Sequence, residues 1–314
     1  MRVLLVRFSA IGDCVMTAWA ASALRHQHPE ATLAWAVESR CVPVIDTTSL
    51  VNDLCIFPRE RWKKRRGDPR VFGEQIRTYL GLRRYKFDLA LDFQGHSKTA
   101  LATRLCGASR RLSARATDAL ARRLNPVLNP SLQPGEHEIE LYGRMLQAAG
   151  FGPVPEFPIM PPLPALPTPI SAPFVSIQTG AGELDKRVPV EHWEAVAADL
   201  VHRGIPVVAL GGPQDPPLDG PGIVNGVGQW SLLESMAVIK ASAVHLAGDT
   251  GSGHIAAALN VPVVSIFGRT DPARFRPWTA RGTVLRGGNT PGETSVTDIL
   301  EAAQTWWSLA RTDA

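Results

Sequence analysis

The chain has 314 residues, 45% of them hydrophobic and 20% charged, with a formal net charge of +4. This is enough apolar material for two globular domains, each with its own core. No run approaches the roughly 18 uncharged apolar residues of a membrane span, and Arg7 interrupts the N-terminal MRVLLVRF too early for a signal peptide. Cys14, Cys41, Cys55 and Cys106 never fall in a CxxC spacing, which predicts reduced thiols in a cytosolic protein rather than a disulfide framework. The charge is uneven. Residues 1–165 carry 23 Lys and Arg against 15 Asp and Glu, or +8, while residues 166–314 carry 10 against 14, or −4. A basic half suggests contact with a polyanion or an anionic surface.

In chain order, RVLLVRF (2–8) is a predicted strand and CVMTAWAASALRHQH has helical spacing. ATLAWAVE (31–38), VNDLCIFP (51–58) and FDLALDFQG (87–95) are further strands, and a helix-like SKTALATRLCG follows the last of them. Strands that are apolar nearly throughout, alternating with helices, imply a parallel sheet covered on both faces. The pattern breaks at residues 151–173, where nine prolines exclude regular structure and mark a semi-extended linker between domains. Alternation then resumes with FVSIQTG, VEHWEAVAADLVHRG, IPVVALGG, SLLESMAVIKAS, AVHLAGD, GSGHIAAALN and VPVVSIFG. Two α/β halves predict a cleft at the carboxyl ends of two sheets, where open α/β folds bind ligands. The helical Trp and Leu positions read as core.

Three strand ends carry candidate chemistry. In GDTGSGH, Asp249, Thr250, Gly251 and His254 lie at a turn into a helix, whose free N–H groups and dipole suit a phosphate or pyrophosphate. The plainer alternative is that Asp249 only caps the helix. In QTGAGELDKRVPVEHW, Thr179, Gly180 and Gly182 open a loop that brings Lys186 and Arg187 to a strand end, where cations would neutralise a diphosphate leaving group; alone, such a pair is also consistent with surface charge. In DFQGHSKTA, Gln94, Ser97 and Lys98 sit at a strand end of the basic half, or simply form a polar first helical turn. The most basic run, RERWKKRRGDPR (59–70), contributes Arg61, Lys63 and Lys64 as candidate anion contacts, against the alternative of a solvated face. His26 and His28 read as exposed and His202 as near a helix end. His137 lacks a second ligand at zincin spacing, so no metal site is predicted.

RFSAIGD, LDFQGHSKTALATRLCGASRR, EHEIELYGRML, GAGELDKRVP and GDTGSGHIAAALNVPVVSIFGRTDP occur in this order. Over most of its length the chain therefore resembles the family 9 glycosyltransferases, the lipopolysaccharide heptosyltransferases. The resemblance implies a GT-B fold of two Rossmann-like domains facing across a cleft. Residues 1–160 would bind the acceptor and 161–314 the nucleotide sugar, with the last helix a candidate to pack back on the first domain. It implies inverting transfer of heptose from ADP-heptose to the lipid A–Kdo inner core, without an obligatory metal or other cofactor. The setting would be peripheral, at the cytoplasmic face of the inner membrane. By the same resemblance Asp13 matches the catalytic aspartate, Lys186 the lysine near the donor phosphates, and Asp249, Thr250, Gly251 and His254 the donor turn. Lys98 falls in the acceptor-side motif. Val188 replaces a usual aromatic, and GGPQDPP offers Gln214 and Asp215 where an acidic residue often holds the ribose. Other readings are a GT-B enzyme acting on a different nucleotide sugar, by transfer or epimerisation, and a non-catalytic polyanion binder. Nucleic acid is not expected, because aromatics are not interleaved with the basic run apart from Trp62.

Overall fold

The computed structural model describes residues 1–170 and 172–312, and its chain divides into two units, Met1–Pro161 and Pro162–Ala314. The first unit contains β1 (Arg2–Val6), α1 (Ile11–Gln27), β2 (Thr32–Glu38), β3 (Asp53–Phe57), α2 (Arg59–Lys64), α3 (Pro69–Gly81), β4 (Leu89–Asp92), α4 (Ser97–Leu105), β5 (Arg110–Ser113), α5 (Ala119–Leu124) and α6 (Glu138–Ala149). Its five strands are parallel in the order β3-β2-β1-β4-β5. On one face Leu4, Val6, Ala34, Ala36, Phe57 and Ala90 pack with Trp62, Val71 and Leu82. Along α1, Ala18, Ala20, Ala21 and Ala23 are buried, and such small side chains let helix and neighbours approach closely.

The second unit contains β6 (Val175–Gln178), α7 (Val190–His202), β7 (Val207–Leu210), β8 (Ile223–Asn225), α8 (Leu232–Ala241), β9 (Val244–Gly248), α9 (Gly251–Ala258), β10 (Val263–Phe267), α10 (Pro272–Phe275), β11 (Gly282–Arg286) and α11 (Val296–Thr312). Its six parallel strands run β8-β7-β6-β9-β10-β11. The last helix contributes to the core of the second unit. Ile299, Ala302, Ala303 and Trp307 of α11 join Val175, Trp193, Val207 and Val264 in the second unit's own core.

The proline-rich segment has no helix or strand among its described residues, yet its first half is not a free linker. Gln27 Oε1 accepts from the Gly152 N–H at 2.7 Å, Trp19 Nε1 donates to the Glu156 carbonyl at 3.2 Å, and Ser22 Oγ accepts from the Ile159 N–H at 2.8 Å. These bonds strap residues 152–159 along α1. All four cysteines are buried and free.

In both sheets the strand order reverses once, between β1 and β4 and between β6 and β9. The loops leaving the carboxyl ends on either side of such a reversal separate in opposite directions and leave a crevice there. The candidate site residues are distributed around these two points.

Candidate functional site

At the β1–β4 reversal, Arg7 follows β1 and is buried despite its charge. Its Nη1 donates to the Phe93 carbonyl at 2.8 Å and to Tyr142 Oη at 3.2 Å, and its Nη2 lies 2.5 Å from Asp13 Oδ1. Burial disfavours the guanidinium charge, but Asp13 and Tyr142 together outweigh it, so Arg7 holds its proton more tightly than a free arginine. The other oxygen, Asp13 Oδ2, accepts from the Ala10 N–H at 2.9 Å at the entrance to α1. Asp13 thus caps its helix and is also clamped by a permanent cation. The side chain keeps about a quarter of its surface in solvent, 26%.

Across the reversal, buried Asp92 Oδ1 accepts from the N–H groups of Gln94 and Gly95, both at 2.9 Å, and burial pushes its carboxyl up to about 6. Gly95 has φ 72°, and a Cβ there would fall 2.3 Å from the Arg115 carbonyl oxygen, so this turn requires glycine. Gln94 Oε1 accepts from the Phe8 N–H at 3.0 Å, which joins the two loops. Ser97, a candidate acceptor contact, also bonds within the unit. Its Oγ donates to Asp118 Oδ1 at 2.6 Å and its N–H to Oδ2 at 2.9 Å, and these bonds lower the Asp118 carboxyl to about 2.

A cluster of cations gathers around the end of β2. Glu38, buried at the end of β2, lies 3.5 Å from Arg40 Nε, 3.4 Å from Arg59 Nη1 and 4.0 Å from Lys98 Nζ. Glu60 Oε1 also lies 4.0 Å from Arg40 Nε, so two carboxylates face three cations and leave a small excess of positive charge at these strand ends. Burial first, then the neighbouring Arg59, push the Lys98 ammonium down to about 8, with Lys63 adding to the same field. Arg61 instead pairs with Glu74 of α3, and Lys64 is exposed at the end of α2. Trp62 anchors this helix in the core. Arg7, Glu38, Arg40 and Arg59 were missed by motif reading. Their signal is a charged residue immediately at or after the end of an apolar strand.

At the β6–β9 reversal, the turn Leu184–Lys186 carries Lys186 to within 3.1 Å of Asp249 Oδ2, at the mouth of α9. Arg187 Nη2 lies 3.1 Å from Asp215 Oδ1, and Arg269 pairs with Asp185. Three ion pairs therefore fasten this loop to the ends of β9, β7 and β10. Gly248 permits the approach: a Cβ there would sit 2.8 Å from the Lys186 carbonyl oxygen. Thr250 is the N-cap residue of α9, with Oγ1 2.9 Å from Ser252 Oγ. Gly251 opens the helix, and His254 is buried on it. The first-turn N–H groups have no intrahelical acceptors, and with the dipole they make this end attractive to anions.

Other expected donor residues have local employment. Thr179 is buried, and its Oγ1 donates to the Leu210 carbonyl at 3.3 Å, which joins β6 to β7. Gly180 leaves space for the Asp215 carboxylate, which a Cβ would overlap at 1.8 Å from Cγ. Asp215 Oδ2 also accepts from the Gly212 N–H at 2.8 Å. Gly182 and Gln214 are exposed, and a Cβ on Gly182 would meet nothing within 4 Å. Val188 is buried in the second core where the family's aromatic was expected. His137 caps α6, its Nδ1 accepting from the Ile139 N–H at 3.2 Å.

Comparison with known proteins agrees with these motifs. The model for glycosyltransferase family 9 (heptosyltransferase) matches residues 76–302. Lipopolysaccharide heptosyltransferase 1 of Pseudomonas aeruginosa is 29% identical over 306 residues, covering 93% of this chain and 85% of the relative. The Escherichia coli K12 protein of the same name is 25% identical over 285 residues, 87% and 89% of the two chains. Among solved structures, E. coli heptosyltransferase WaaC with ADP aligns at TM-score 0.80 and 21% identity, over 98% of this chain and all of that one. E. coli ADP-heptose lps heptosyltransferase II aligns at TM-score 0.75 and 22% identity, over 99% and 100%. These likenesses identify the two parallel-sheet units as a GT-B fold. Since the family model spans well over half of the chain, the protein belongs to glycosyltransferase family 9, the heptosyltransferases.

Proposed function

We propose that this chain transfers heptose, with inversion, from ADP-heptose held at the β6–β9 reversal to an anionic lipid A–Kdo inner-core acceptor held at the β1–β4 reversal. The observation that carries this reading is that Lys186 stands 3.1 Å from Asp249 over the mouth of α9, within the motifs matched by the family. The relatives' names support heptose as the sugar. Solved neighbours include WaaC with ADP and WaaC with ADP-2-deoxy-2-fluoro heptose.

In this mechanism the acceptor hydroxyl lies against Asp13, which takes its proton as the glycosidic bond forms. Arg7 holds that carboxylate in place through their ion pair. Proton transfer needs to be complete only as the hydroxyl becomes acidic in the transition state. On the donor side Lys186 exchanges Asp249 for the leaving diphosphate, and the α9 N–H groups accept its remaining charge. These fixed positive groups would take the place of a metal ion. The excess cations around Glu38 suit acidic inner-core sugar, and the enzyme would work peripherally at the cytoplasmic face of the inner membrane.

The test is thermal stabilisation by a panel of nucleoside diphosphates and sugar nucleotides, followed by turnover with a chelator. ADP and ADP-heptose should stabilise most, and turnover should survive chelation. Preference for another nucleobase, or chelator-sensitive turnover rescued by Mg²⁺, would contradict this reading. A pH dependence also follows. Lys98, lowered to about 8, carries its charge below that pH and loses it above. Acceptor KM should therefore rise by about tenfold or more between pH 7.5 and 9.5, the scale of one lost charged hydrogen bond, while donor KM stays flat. The Lys98→Arg enzyme should lose this slope.

A further inference from the structure

Helix α3 has an outer face that the transfer chemistry does not use. Its inner side is fixed: Val71 is buried in the first unit's core, Tyr79 packs edge-on to Phe57, and Tyr79 Oη donates to the Lys98 carbonyl at 3.2 Å. The outer side exposes Phe72, Ile76 and Leu80 at 65%, 43% and 43%. Their spacing of four places them in one stripe along the helix. Ile56 on edge strand β3 is also exposed, at 46%, and lines a groove of about 230 Å³ with Arg77 and Gly81 of α3.

The surroundings of this stripe are strongly basic. Residues 59–84 contain ten Lys and Arg against three Asp and Glu, a net +7. Lys63, Lys64, Arg65, Arg66, Arg70, Arg77, Arg83 and Arg84 are all exposed. A second copy of the chain would bring like charges together, which opposes self-association through this face. An aromatic and aliphatic stripe rimmed by cations is instead complementary to an anionic bilayer surface, where apolar side chains enter the headgroup boundary and cations meet lipid phosphates.

We infer that α3, with Phe72, Ile76 and Leu80 inserted and the 59–84 cations around them, is the element that docks this protein on an anionic lipid bilayer. The inference rests on the transferase reading above only in that it explains how the enzyme meets a membrane-anchored acceptor. Because Tyr79 joins α3 to the first turn of α4, docking would hold Lys98 and its neighbours close to the lipid surface.

The test is vesicle flotation of the full chain and of a Phe72→Ser, Ile76→Ser, Leu80→Ser variant. The vesicles are phosphatidylethanolamine with phosphatidylglycerol, or phosphatidylcholine alone. Wild type should bind the phosphatidylglycerol vesicles and not phosphatidylcholine, and the variant should bind at least about tenfold more weakly. Transfer to acceptor embedded in vesicles should fall by a similar factor in the variant, with transfer to de-acylated acceptor unchanged. Equal binding by both proteins, or no binding by wild type, would overturn the inference, as would a wild-type dimer converted to monomer by the substitutions. Wild type that binds vesicles yet transfers to neither acceptor would overturn the transferase reading and leave the docking face standing.

Discussion

Replacing Asp13 by asparagine is expected to lower turnover by about 10²–10⁴-fold, the usual contribution of a positioned general base, with donor affinity nearly unchanged. Asparagine preserves the size of the side chain and can still accept from the Ala10 N–H, so the helix cap survives. It cannot accept a proton, and it removes the negative partner of a buried Arg7. Some stability should be lost with that pair, up to about 3–5 kcal/mol for a buried ion pair deprived of one partner. Measuring kcat, ADP affinity and the urea midpoint on the same preparation separates these effects. If Asp13 were only a cap, turnover would remain near that of wild type once folding was matched. Arg7→Lys provides a second check, because a lysine keeps the charge but not the forked geometry that reaches Phe93, Tyr142 and Asp13 together. It should show lower kcat and a shifted acid limb in the pH profile, whereas a purely structural arginine would change only stability.

Lys186→Ala is expected to reduce kcat/KM by about 10²-fold, the scale on which losing one preorganised donor to a developing charge acts. Donor affinity should weaken and acceptor KM should hardly move, since the proposed acceptor site lies at the other sheet. The substitution leaves Asp249 beside the N-terminus of α9 without its cation, and a carboxylate at that end would compete with the diphosphate for the helix dipole. Calorimetry with ADP reads this directly. Unchanged ADP affinity would remove Lys186 from the donor site. The neighbouring Arg187–Asp215 and Arg269–Asp185 pairs keep the loop anchored in this variant, so its effect is local.

Much of the fold was legible because parallel strands buried on both faces are apolar nearly throughout. VLLV, LAWAV and VVSIF advertise β1, β2 and β10 without structural help. The strands that escaped notice lie at sheet edges or are too short to show a pattern. β5 is RRLS, with one apolar residue, and β8 is the three residues IVN. Helix α3 was missed although Asp68-Pro69 is a capping signal, because Gly73 and Gly81 weaken its helical appearance. In the candidate site, GDTGSGH and the Lys186 loop stand out in sequence because glycines and charges cluster there at strand ends. Thr179, Ser97 and Arg61 could not be judged from sequence. Whether a polar side chain serves a ligand or a neighbour depends on contacts such as Ser97–Asp118 and Arg61–Glu74, which join residues far apart in the chain. The Arg7–Asp13 clamp was equally hidden. Both residues are visible in RFSAIGD, but the chain must turn between β1 and α1 before their side chains meet.

The central claim is that the β6–β9 reversal delivers heptose from ADP-heptose to an acceptor at the β1–β4 reversal. The most direct measurement incubates the full chain with ADP-heptose and de-acylated lipid A–Kdo acceptor and analyses the product by mass spectrometry and by the anomeric NMR coupling. The expected product is the acceptor enlarged by one heptose, in inverted configuration, with one equivalent of ADP released. Release of ADP-heptose unchanged, transfer of a different sugar in preference, or retention at the anomeric carbon would contradict the account.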